Sequence, residues 1–246
     1  MSHKNMPFVG KIVETISGDR LQYLILIGIS LMVFGFVGIL YFSNSQLFQR
    51  FIGRINPLIA FLFVIVLGFI LLSFLLSQKW FAIYEKENLK GLFRFSSLAA
   101  LFGIIMILVD TKIIFPADMN ILFPESLLFY PAIGFLAEIL FHVLPLAILL
   151  FILNSILKNA DFGNVVWICI LIVSLVEPIY QAMNMASSNR YPVGAVIYVG
   201  IHVFLISFFQ LLIFRKYDFI SMYSFRLVYY MFWHVGWGYV RLRLLF

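Results

Sequence analysis

The sequence predicts an all-α fold, a single polytopic membrane bundle of about seven transmembrane helices, and three observations carry that prediction. The 246 residues are 63% hydrophobic and 11% charged, with a mean hydropathy of +1.05. Soluble domains run nearer half apolar and a quarter charged, so a soluble globular enzyme is excluded. The apolar residues fall in blocks of about twenty, the length that crosses a bilayer. Lys and Arg gather in the short segments between these blocks, so the formal charge of +6 follows from membrane topology and calls for no nucleic acid. The single cysteine, Cys169, sits inside an apolar run and provides no disulfide framework or thiol metal cluster.

The first twenty residues are polar and lack the apolar core and small-residue cleavage site of a secretory signal, which predicts that the first helix stays as a signal anchor. Spans are then expected at about 21–42, 56–79, 92–114, 126–154, 164–184, 192–214 and 219–244, each bounded by charges or by Pro, Asn and Gly. The longest loop is the polar stretch from Lys79 to Lys90, and short loops imply sequential antiparallel neighbours. With the N terminus cytoplasmic, Lys4, Lys11, Arg20, Lys79, Lys86, Lys90, Arg94, Lys158, Arg215 and Lys216 lie inside. Arg50, Arg54, Arg190, Arg241 and Arg243 lie outside. Ten against five predicts an integral protein of the cell membrane with its N terminus cytoplasmic.

The first two spans are almost free of ionisable residues and read as lipid-facing walls, expected to pack outside the rest. The last four hold Glu138, His142, Glu177, Gln181, His202, Gln210, Arg226 and His234. A charge at bilayer depth costs at least a few kcal/mol unless paired or hydrated, so any function is expected here. Helical spacing groups these residues. Glu138, His142 and Pro145 share a face of the fourth span, and Pro145 frees the carbonyl of Phe141 beside His142. Ser174, Glu177, Gln181 and Asn184 form a stripe on the fifth, and Tyr198 precedes His202 by four on the sixth. On the seventh, Tyr223, Arg226, Tyr230, His234, Trp237 and Arg241 occupy one narrow face. Glu138, His202 and His234 each fall near the middle of their spans, which predicts a shared polar pocket also bordered by Glu177, Gln181, Arg226 and Tyr230.

Each of these residues also has a structural reading. Glu138 and His142 make an i,i+4 pair that can simply hold a helix. His202 can satisfy itself on a facing hydroxyl or carbonyl. Arg226 and Arg241 can pair a carboxylate or reach the interface, while Asp110 and Lys112, near a span end, are expected to be solvated.

The segment FLAEILFHVLP, residues 135–145, resembles the Glu-Glu-x-x-x-Arg helix of the CPBP family, the intramembrane proteases related to CAAX prenyl endopeptidases and to bacteriocin self-immunity proteins. Ala137 stands at the first Glu, Glu138 at the second, Phe141 matches, and His142 stands at the Arg. The segment 208–238 resembles the family's closing unit, a helix ending in a basic turn followed by a helix with His-x-x-x-Asn or Asp. His234 matches the histidine and Gly238 takes the place of the Asn or Asp. The middle Phe-x-x-x-His motif falls on VSLVEPIYQ, where Gln181 or Tyr180 stands at the histidine. The resemblance covers residues 126–246 and implies a CPBP-like core there. It further implies a CAAX-type endopeptidase in which a glutamate activates water, histidines assist or bind metal such as zinc, and a membrane-embedded or lipidated peptide is the substrate. The departures imply either a pseudoenzyme or a rewired site with Glu138, His142 and His234 as catalytic residues, in which Glu138 is the base and His142 or His202 replaces a missing imidazole. Two rivals stand beside it: an intramembrane metal site drawing on Glu138, His142, Glu177, His202 and His234, with Glu138, His202 and His234 as the ligand set, and a noncatalytic transporter or assembly partner.

Overall fold

The computed structural model describes residues 19–157 and 160–246, and the described residues form helices and short turns with no strand. The N-terminal eighteen residues and Lys158 lie outside the described part, and with them the expected polar leader and three of the counted basic residues, Lys4, Lys11 and Lys158. Among the described residues six helices are long and apolar enough to cross a membrane: α1 Arg20–Asn44, α2 Pro57–Ser77, α3 Leu92–Ile113, α4 Ser126–Ile156, α5 Phe162–Ser187 and α6 Val193–Lys216. A seventh, α7 over 219–244, is built from Phe219–Tyr230, Met231–Trp237 and Gly238–Leu244, and carries Arg226, Arg241 and Arg243. All seven coincide with the predicted spans to within a few residues. The chain is an integral membrane protein by this architecture.

Local chemistry sets most boundaries. Asn56 caps α2 by accepting from the Leu58 amide at 2.9 Å, with Pro57 in the first turn where its missing N–H costs nothing. Asp161 caps α5 on the Asn164 amide at 3.1 Å, and Asp218 caps α7 on the Ser221 amide at 2.7 Å. The loop between α2 and α3 is tied into the bundle. Phe219 and Ile220 donate to the carbonyls of Ala82 and Ile83, Gln22 accepts from the amides of Ile83 and Tyr84, and Asp218 accepts from the Glu85 amide.

In lipid, apolar burial gives helices no drive to associate, so packing and polar pairs decide their arrangement. The buried face of α1, Tyr23, Leu26, Ser30, Val33, Val37 and Leu40, follows alternating three- and four-residue steps and lies on α2 and α4. Its opposite face, including Leu24, Leu31 and Phe42, is exposed where lipid would be. Going round the bundle, α2 packs on α4, α4 on α5, α5 on α6, α6 on α7, and α7 on both α3 and α4. Gly68 lets α2 approach the middle of α4, since a Cβ there would stand 3.0 Å from Ile139 Cδ1. The point where α4, α5, α6 and α7 meet is polar.

Candidate functional site

Proline places the first two members of this meeting point. Pro145 has no N–H to offer the carbonyl of Phe141, and just before it the helix widens over Glu138–Val143, where Leu144 donates to Ile139 instead of Leu140. Glu138 and His142 both lie on the inner side of this wide turn and are fully buried, with His142 Nδ1 2.9 Å from Glu138 Oε2. In α5, Pro178 cannot donate to Ser174, and the helix breaks at Ser174–Leu175 and restarts at Val176. Glu177 thus sits in the first turn of a helix segment, where unpaired amides favour a carboxylate.

Arg226 of α7 holds the two carboxylates together. Its Nε donates to Glu138 Oε1 at 2.6 Å, and its Nη1 and Nη2 donate to Glu177 Oε1 and Oε2 at 3.0 and 2.7 Å, a bidentate pair. Nη1 also reaches the Tyr230 hydroxyl at 3.0 Å and Nη2 the Gln210 Oε1 at 3.2 Å. Gln210 of α6 returns its amide to Glu138, and Gln181 donates to Glu177 at 3.0 Å. His142 Nε2 stands 3.8 Å from Glu177 Oε2, beyond hydrogen-bond reach. Four helices therefore meet on one guanidinium, with side chains almost wholly removed from solvent.

This geometry bears on chemistry. A general base needs a lone pair facing a water or a substrate proton. Glu138 Oε1 receives both Arg226 and Gln210 and both Glu177 oxygens are occupied by Arg226, while Glu138 Oε2 lies buried 2.9 Å from His142 Nδ1 and accepts no hydrogen bond among the described residues. Two hollows of the molecule, one beside Arg54 and one between Ile107 and Val240, include no residue of the cluster.

The pocket expected from the sequence is assembled only in part. Glu138, His142, Glu177, Gln181, Arg226 and Tyr230 come together. His202 does not bond to them: its two nitrogens face the hydroxyls of Tyr198 at 3.3 Å and Tyr229 at 3.4 Å, and its ring stands edge-on to Phe102. His234 pairs its Nδ1 with Asn120 Oδ1 at 3.0 Å, stacks on Tyr130 and meets the ring of Tyr230 edge-on. Eight residues separate His202 from Gln210, and His234 from Arg226, which amounts to roughly 12 Å of rise and about 80° of turn. That offset gives each histidine different neighbours. Among the described residues no three His, Cys, Asp or Glu side chains are arranged to hold a metal ion, so Glu138, His202 and His234 do not form the expected ligand set.

Two further findings correct or extend the sequence reading. Asp110, expected to be solvated, is fully buried and accepts from Arg241 Nε and Nη2 at 2.8 and 3.0 Å and from Trp237 Nε1 at 2.6 Å. Lys112 is exposed, as expected. Asn120, which no sequence pattern singled out, fills the space beside Gly238, where a Cβ would stand 2.9 Å from its Nδ2. Gln210, named among the polar residues of the last four spans but not placed in the pocket, and Ser207, which was not named, belong to the site; their three-residue spacing on the face of α6 turned to Glu138 and Glu177 is the signal that finds them. No family model, curated protein or solved structure matches the chain.

Proposed function

We propose that this protein is a non-cleaving, CPBP-like bundle of the cell membrane, with its N terminus cytoplasmic and its family-like core in residues 126–246. The observation that carries the reading is Arg226, whose guanidinium engages both carboxylates the site would need as bases. Peptide-bond hydrolysis needs a base free to take a proton from water and a donor aimed at the oxyanion. Ala137 provides no second carboxylate in α4, and Gly238 provides no side-chain donor. What remains is a membrane bundle whose polar centre joins helices. Its fitting partner is a membrane-embedded or lipidated peptide, held without being cut.

The test is purified protein incubated with prenylated CAAX-type peptides, wild type beside Glu138→Ala and His234→Ala. No Glu138-dependent cleavage is expected. Turnover by wild type that both substitutions abolish would establish a protease with a rewired site. Topology is tested separately with a Lys86→Cys variant in intact cells, the native Cys169 being buried. Protection from an impermeant thiol reagent is expected, and labelling from outside would reverse the orientation.

A further inference from the structure

The hairpin end between α1 and α2 holds a feature unrelated to the buried cluster. From Arg20 to Tyr84 the sequence contains no Asp or Glu, yet the turn between these helices carries Arg50 and Arg54. A hollow of about 240 Å³ opens there, lined by Tyr41, Gln49, Arg54, Ile55 and Asn56 over Phe48. Among the described residues no carboxylate pairs with Arg54. The Asn56 side-chain oxygen is committed to the Leu58 amide, while its Nδ2 donates to the Tyr41 hydroxyl at 3.4 Å. That hydroxyl therefore keeps its own hydrogen to give. The residues lining the hollow supply donors in the guanidinium of Arg54, the Tyr41 hydroxyl and the NH2 of the Gln49 side chain, whose carbonyl oxygen is also an acceptor. The first turn of α2 adds its positive end beside them.

Its position fixes the chemistry of the ligand. The hollow lies where two membrane-crossing helices end, the level of phospholipid headgroups. Phe42, Phe51 and Ile55 near it are 83%, 40% and 60% exposed, an apolar flank suited to acyl chains. A donor-lined hollow of unbalanced positive charge beside such a flank matches a phosphate attached to lipid tails. We propose that this hollow binds the phosphate group of an anionic phospholipid, with Arg54 as the charged contact and Tyr41 as a neutral donor.

The experiment is native mass spectrometry of the full-length protein, counting retained phosphatidylglycerol, phosphatidylcholine or inorganic phosphate at equal concentrations. Wild type is expected to retain one phosphatidylglycerol in preference to phosphatidylcholine. Arg54→Ala should weaken that retention about tenfold or more, the scale of one charged hydrogen bond, and Tyr41→Phe by less. Arg20→Ala, a change at the opposite end of α1, should leave it intact. Equal retention of both lipids, unchanged retention in Arg54→Ala, or displacement by inorganic phosphate at the same concentration would each overturn the assignment.

Discussion

Two buried arginines on α7, fifteen residues apart, solve the problem of a charge inside a membrane protein in different ways. Arg241 meets one carboxylate, Asp110, in a bidentate pair, and gives two further hydrogens to the carbonyls of Phe115 and Pro116. Asp110 in turn accepts from the Phe115 amide and Trp237. One positive group faces one negative group across the ends of α3 and α7, and each nitrogen of the guanidinium and each oxygen of the carboxylate has a hydrogen-bond partner. Arg226 faces two carboxylates from two helices, with an imidazole between them. The first arrangement is a staple between two elements. The second is a node on which four helices depend, and the hold of Arg226 on both carboxylates argues for holding over hydrolysis.

The largest effect is therefore expected at the node. Arg226→Met leaves Glu138 and Glu177 buried beside each other without their common cation, a change expected to destabilise by about 3–5 kcal/mol. In detergent this reads as loss of the monodisperse species and a lowered melting temperature. Adding Glu138→Gln and Glu177→Gln to Arg226→Met should recover part of the loss by removing the stranded charges. A single Arg226→Met that behaves as wild type would show that the node bears no load.

The staple should respond differently. Arg241→Met alone strands one carboxylate near a helix end and is expected to cost about 3 kcal/mol, the lower end of that range. Combined with Asp110→Leu it should lie much closer to wild type, because a balanced pair can be exchanged for apolar side chains of similar volume. A double variant no better than the single one would show that the contacts to Phe115, Pro116 and Trp237 hold this end, with the ion pair secondary. A smaller step follows at the imidazole. His142→Gln should cost about 1–2 kcal/mol through the lost contact to Glu138 Oε2, measured as the same shift in melting temperature.

What the sequence made legible follows the range of the forces involved. Span positions were readable because bilayer thickness fixes helix length, and Pro145 marked the local distortion beside Glu138 and His142. Glu138, His142, Glu177, Arg226 and Tyr230 were readable as a group, since ionisable residues at depth must find one another. The structural reading of His202, a ring satisfied by a facing hydroxyl, holds, while its separation from the cluster and the partner of His234 were not readable. Depth counted from span centres ignores how each helix is rotated against its neighbours, and an offset of two turns put both rings among tyrosines and Asn120. Asp110 and Asn120 were invisible for a related reason. Their partners are more than a hundred residues away in the chain, and only tertiary packing brings a loop and a helix end together.

The smallest effect is expected at His202, and it decides whether that ring belongs to the node. Its hydrogen-bonding neighbours are Tyr198 and Tyr229, at the long end of hydrogen-bond distance, and neither bonds to Glu138, Glu177 or Arg226. His202→Phe keeps a ring beside Phe102 and takes an acceptor from one tyrosine hydroxyl and a donor from the other, at a cost of about 1 kcal/mol. Combining it with His142→Gln gives a double-mutant cycle across the two sets. Residues without shared partners should add to within about 0.5 kcal/mol. A coupling well above that, about 1 kcal/mol or more, would mean that His202 feels the cluster through the packing of α6 and α7. The single polar pocket read from the sequence would then describe the energetics better than the separate hydrogen-bond sets do.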